Sequence, residues 1–82
     1  MAIADFIEAI RLDPTLAGVY ANRGHAYCGK GDFGLALADY SAAIRGDPNI
    51  AAFCASRAEA YRALGDEANA ARDQRRAQER SG

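Results

Sequence analysis

An all-α fold is predicted by three features of this 82-residue sequence. Alanine supplies 20 residues while Val and Thr occur once each, and strands favour β-branched side chains. Asp-Pro recurs at Asp13-Pro14 and Asp47-Pro48, and Gly-Asp at Gly31-Asp32 and Gly65-Asp66. Between these dipeptides the apolar residues fall three or four apart, the spacing of one helix face. The length allows one domain, with a core of Ala and a few Ile, Leu, Phe and Tyr.

The punctuation marks each element in order. Ile3, Phe6, Ile7 and Ile10 share a face of a helix predicted near 2–12. Pro14 cannot continue it and biases Asp13 away from the helical region. A second helix, 15–29, carries Tyr20, Arg23, Gly24 and Tyr27 on one face. Gly24 in mid-helix costs up to about 1 kcal/mol relative to Ala, so a close contact is expected there. Gly31 is expected to close that helix in the left-handed conformation, with Asp32 capping the next. Helix 33–45 follows, with Leu37, Tyr40, Ala43 and Ile44 on one face; helices 49–63 and 67–79 repeat the plan.

That repetition is measurable. At an offset of 34 residues, 18 of 48 overlapping positions are identical, and eight of these are Ala–Ala. The other ten include Arg23/Arg57, Asp39/Asp73, Tyr27/Tyr61, Pro14/Pro48 and Gly31/Gly65. Small residues at Gly24, Ala36, Ala43, Ala58, Ala70 and Ala77 fall where paired helices can approach closely.

Composition excludes several functions. A net charge of −1 argues against a nucleic-acid binder, which carries a basic excess. No run approaches the eighteen or so apolar residues of a membrane span, and the acidic N-terminal stretch is not a secretory leader. Cys28 and Cys54 form no CxxC or His/Cys cluster and read as small helix residues of a cytoplasmic protein.

The stretch AGVYANRGHAYCGKGDFGLALADYSAAIRGDPNI, residues 17–50, resembles one full tetratricopeptide repeat (TPR). Tyr20, Gly24, Tyr27, Ala36, Tyr40, Ala43 and Pro48 stand at the family's signature positions. Arg23 replaces the usual Leu; its stem is expected to cover apolar surface while its guanidinium reaches out. Residues 51–82 resemble a second repeat, departing from the pattern at Cys54 and Gln74. Residues 1–14 resemble the second helix of a preceding repeat. The resemblance implies antiparallel helix-turn-helix units stacked in a right-handed superhelix, an α-solenoid in which each unit leans on its neighbours. It also implies a protein-interaction module, not an enzyme, and no cofactor.

The two ends carry opposite expectations. The last helix keeps Ala70, Ala71 and Ala77 on its inner side and balances four Arg against four acids over residues 66–82, as a solvated capping helix does. The first leaves Ile3, Phe6, Ile7 and Ile10 without a partner helix, enough apolar surface to drive homo-oligomerisation.

By the resemblance, the concave face takes Asn22 and His25 from the first repeat and Ser56, Glu59 and Arg62 from the second. These are the expected handles for a protein or peptide ligand. His25 and Glu59, one period apart, could form a hydrogen-bonded pair. A carboxylate clamp of the kind some co-chaperones use is unsupported, because its basic positions fall on Ala52 and Ser56. His25, Cys28 and Glu59 lack a recognised metal-ligand spacing, so no metal is assigned. No enclosed acid–base set or phosphate-binding glycine loop is present either.

Overall fold

The computed structural model describes residues 17–81, which form four helices. They are α1 (Ala17–Gly29), α2 (Phe33–Gly46), α3 (Ala51–Ala63) and α4 (Glu67–Ser81). No strand occurs among the described residues. The helix expected near 2–12, with Ile3, Phe6, Ile7 and Ile10, lies outside the described residues, and with it the expected self-association surface.

Short connections make α1 and α2 one hairpin and α3 and α4 another. The hairpins stack through α2 on α3, and α1 also touches α3. The all-α repeat architecture is the one the 34-residue period predicts.

Both hairpin turns follow from their glycines. Gly31 (φ +83°) and Gly65 (φ +81°) adopt the left-handed conformation that glycine alone takes without steric cost. After α1, the Gly31 N–H donates to the Cys28 carbonyl at 3.0 Å and the Asp32 N–H to the Tyr27 carbonyl at 2.9 Å. After α3, Gly65 and Asp66 make the same two bonds to Arg62 and Tyr61, at 3.0 and 2.9 Å. These paired bonds are a Schellman closure, which satisfies carbonyls the helix end would leave orphaned.

The starts of the second helices differ. Asp66 accepts the Asn69 backbone N–H at 3.2 Å and its side-chain amide at 2.7 Å, so it caps α4 as expected. Asp32 makes no side-chain cap bond. Its counterpart of Asn69 is Leu35, which offers no amide to draw the carboxylate inward. Between hairpins, the Asp47 carboxylate accepts the Asn49 N–H at 3.3 Å. This local turn holds Pro48 and Asn49 out of the helix, and α3 starts at Ala51 instead of 49.

The core is built from small residues. Ala36, Ala43, Ala58 and Ala70 are wholly buried, and Gly24 and Ala77 are buried beside them. All six positions singled out by sequence lie inside. Each buried methyl contributes only about 0.8 kcal/mol, so close helix approach has to compensate for small side chains. Ala71 is the exception to the expected inner face of α4: it is exposed, and Asp73 is buried.

Tyr40 is the largest fully buried side chain, and it needs Gly24. A Cβ at Gly24 would meet Tyr40 Cε1 at 2.7 Å and Cδ1 at 2.9 Å, inside van der Waals contact. In the second hairpin the register pairs Ala58 with Gln74, so the extra methyl appears where the ring is missing. Gly24→Ala is therefore expected to destabilise by about 1–3 kcal/mol through overpacking. In a Tyr40→Leu background the same change should be neutral or stabilising by up to about 1 kcal/mol, through helix propensity. Urea unfolding of the four proteins checks this; an equal cost in both backgrounds would contradict the contact.

Candidate functional site

The face shared by α1 and α3 has a floor of small residues, with Ala21 buried and Ala55 half-buried. Asn22 and His25 are exposed one turn apart on α1. On α3, Ser56 is half-buried while Glu59 and Arg62 are exposed. Arg62 leans across the turn, its Nε 3.9 Å from Glu67 Oε2. An ion pair this exposed contributes little, of the order of 0–1 kcal/mol.

His25 does not pair with Glu59. Its Nδ1 lies 2.9 Å from the Tyr40 hydroxyl, with the rings edge to face at a centroid separation of 5.3 Å. Cys28 Sγ reaches the same hydroxyl at 3.5 Å. The buried ring of Tyr40 therefore presents its polar end to two α1 side chains. Burial pushes the Tyr40 phenol well above its ordinary value of 10.0, the Cys28 hydrogen bond adds to this, and the Glu59 and Asp39 charges act in the same direction. A phenol whose folded-state pKa is raised contributes stability that is complete below the unfolded value and is lost as the pH climbs past it. Tyr40 thus stays protonated across the neutral range.

Two ion pairs set the geometry of this face from behind. Arg23 does not reach out to solvent, as its exposed-guanidinium expectation had it. Its Nε donates to Asp39 Oδ2 at 2.7 Å and its Nη2 donates to Oδ1, a bidentate pair across the hairpin. Arg57 repeats this with Asp73, at 2.7 Å from Nε and 2.8 Å from Nη2. The side chains are 21% and 4% exposed in the first pair, and 11% and 0% in the second.

Aromatic rings complete the burial. The Arg23 guanidinium lies 5.8 Å from the Tyr20 ring centre and 5.9 Å from that of Tyr27. Arg57 lies 5.9 Å from Tyr61, and Cys54 stands where a second ring would be. The carboxylate hydrogen bonds hold both guanidinium pKa values above their ordinary level, against the opposing effect of burial. Arg57 also reaches the preceding hairpin, donating from Nη1 to Ser41 Oγ at 3.2 Å.

This clamp was missed by sequence reading, although its signal is present. Arg23 and Asp39 stand 16 residues apart, both recur one period later, and the turn between them is central. Two opposite charges so placed in an antiparallel hairpin face each other.

The tetratricopeptide-repeat family model matches residues 17–50. Residues 17–50 are a tetratricopeptide repeat, and the four described helices have the fold of a repeat array of this kind. Solved structures agree over nearly the whole length. A crystal structure of MamA is 25% identical, with 96% of this chain and 46% of that chain covered at a TM-score of 0.93. Another MamA crystal structure is 26% identical, covering 96% and 43%, at 0.92. A third, MamA MSR-1 C2, matches at 0.93 over 98% and 46%, and at 21% identity it shows the fold alone. The chain spans less than half the length of each of these solved chains. No curated protein matches the sequence.

In TPR terms, Arg23 and Arg57 fill the position where the family has Leu, and Asp39 and Asp73 stand immediately before the large aromatic position of the second helix. Asp39→Ala and Asp73→Ala are each expected to destabilise by about 3–5 kcal/mol, since each strands a buried guanidinium. Glu67→Ala, at the exposed pair, should stay within about 1 kcal/mol. Replacing Arg57 by Met together with Asp73 by Leu should recover most of the loss. Thermal and urea melts read all four; a buried-pair variant no worse than the Glu67 variant would refute the clamp.

Proposed function

We propose that this chain is a non-catalytic protein-interaction module whose concave α1/α3 face receives a peptide or helix of a partner protein. The TPR fold is a protein-interaction fold, and its matched relatives share this architecture. The observation that carries the reading is the contrast between the two sides of α1. Arg23 is clamped inward against Asp39, while Asn22 and His25 stand exposed over a small-residue floor. A rigid back and a shallow polar front suit a ligand that lays down its own backbone. Small residues let it approach, and Asn22, His25, Ser56, Glu59 and Arg62 supply hydrogen bonds. Such a preformed surface spends little of its binding energy on ordering itself.

No helix among the described residues is long and apolar enough to cross a membrane. The free thiols of Cys28 and Cys54 suit a reducing cytoplasmic setting.

A peptide selected by phage display against the whole chain tests the reading. Substituting Asn22 and Arg62 together with Ala removes two hydrogen-bonding groups worth about 0.5–1.5 kcal/mol each, so the selected peptide should bind about tenfold more weakly. The melting temperature should hold, because both side chains are exposed. Affinity unchanged by the double substitution would place the binding surface elsewhere.

A further inference from the structure

The Tyr40 cluster has a direction. Its hydroxyl stands 2.9 Å from His25 Nδ1 and 3.5 Å from Cys28 Sγ, and two proton arrangements close this chain of contacts. In one, imidazole Nδ1–H donates to the phenol oxygen and the phenol donates to sulfur. In the other, the thiol donates to the phenol oxygen and the phenol donates to Nδ1. The second arrangement is chemically preferred. A phenol is a stronger acid than a neutral imidazole N–H, and an imidazole nitrogen accepts far better than a thiol sulfur. His25 then carries its proton on Nε2, the nitrogen turned away from Tyr40.

Glu59, on α3, is near enough for its charge to act on the Tyr40 phenol. Glu59 is also exposed and, among the described residues, has no cation within ion-pair distance, whereas Arg62 has Glu67. The face thus offers one fixed donor and one uncompensated carboxylate.

We propose that Tyr40 and Cys28 hold His25 in its Nε2–H form, and that His25 and Glu59 together read an extended basic peptide segment. The imidazole donates to a backbone carbonyl of that segment, and the carboxylate receives a Lys or Arg side chain. The ligand class follows from complementarity: an acidic or purely apolar segment would leave Glu59 desolvated without a partner. Tyr40 and Cys28 are positioning residues, and His25 and Glu59 are the contact residues. The inference rests on the α1/α3 face being the ligand surface.

Two readouts separate its failure from failure of that reading. The first uses the free protein. Long-range ¹H–¹⁵N correlation of the neutral imidazole should show His25 wholly as the Nε2–H form. In Tyr40→Phe, which keeps the ring and the helical signature, the two nitrogens should move toward the averaged values of a free imidazole. An Nδ1–H form in the wild type, or identical nitrogen shifts in the variant, would overturn the inference and leave the groove reading standing.

The second uses two acetylated, amidated probes, Ala-Ala-Lys-Ala-Ala and Ala-Ala-Glu-Ala-Ala. The lysine probe should move the His25 Nε2 resonance and bind about tenfold more tightly than the glutamate probe. In Glu59→Gln that preference should fall to about twofold or less. Equal binding of both probes, or a preference that survives in Glu59→Gln, would overturn the ligand assignment. Movement of no α1 or α3 amide with either probe would overturn the groove reading together with it.

Discussion

Each hairpin of this repeat chain is organised around one buried guanidinium–carboxylate pair. Arg23 meets Asp39 and Arg57 meets Asp73 in the same bidentate geometry, each from the middle of a first helix to the middle of the second. Taking two charges out of water is costly, and their attraction compensates only when the fork and the carboxylate are aligned. A slip of either helix by one turn, about 5.4 Å, would strand both charges. The pair therefore adds a directional constraint on the register of helix pairs in which most of the fully buried apolar residues are alanines, whose methyls discriminate poorly between one turn and the next. Arg57 extends the same logic between hairpins through Ser41, so that one side chain ties three helices together.

The rest of the packing adapts to that frame locally. In the first hairpin the space beside the pair is filled by Tyr20, Tyr27 and the buried Tyr40, and Gly24 makes room for the last of these. In the second hairpin Cys54 and Gln74 take the places of two aromatic rings, and Ala58 takes the place of the glycine. Volume lost on one helix is partly returned on the other. The first hairpin consequently has the polar end of a large aromatic against α1, and that is what orients His25.

Much of the fold was legible because it is written in backbone chemistry. Gly31, Gly65 and the Asp47-Pro48 step end and separate helices whatever packs around them, and the 34-residue period made the hairpins repeat. The buried positions of Gly24, Ala36, Ala43, Ala58, Ala70 and Ala77 were legible for the same reason: small residues at helical spacing have few other uses. Asp32 stands at the N-cap position as expected but without a side-chain cap bond, and Ala71 was misplaced; the first depends on a neighbour's side chain and the second on which stripe of a polar helix turns inward. The charged clamp was hidden more deeply. Arg23 and Asp73 look solvated when each is considered on its own helix, and only the hairpin brings their partners opposite. His25 was legible as an exposed residue of the first helix, but its partner was not: a phenol from the next helix, not the carboxylate one period away, holds its ring.

On the proposed reading, the α1/α3 face is held in place by side chains that point the other way. Clamped arginines behind α1 and α3 fix the helices, and their exposed turns present Asn22, His25, Glu59 and Arg62 in a set arrangement. Exchange of arginine Nε–H protons with water, followed by NMR at neutral pH, tests this most directly. The expected result is two protected, slowly exchanging signals from Arg23 and Arg57, which are hydrogen-bonded through Nε, with fast exchange at the exposed Arg45, Arg62, Arg72, Arg75 and Arg76. Equally fast exchange at Arg23 and Arg57 would mean that no buried clamp holds the hairpins, and the account would fail at its foundation.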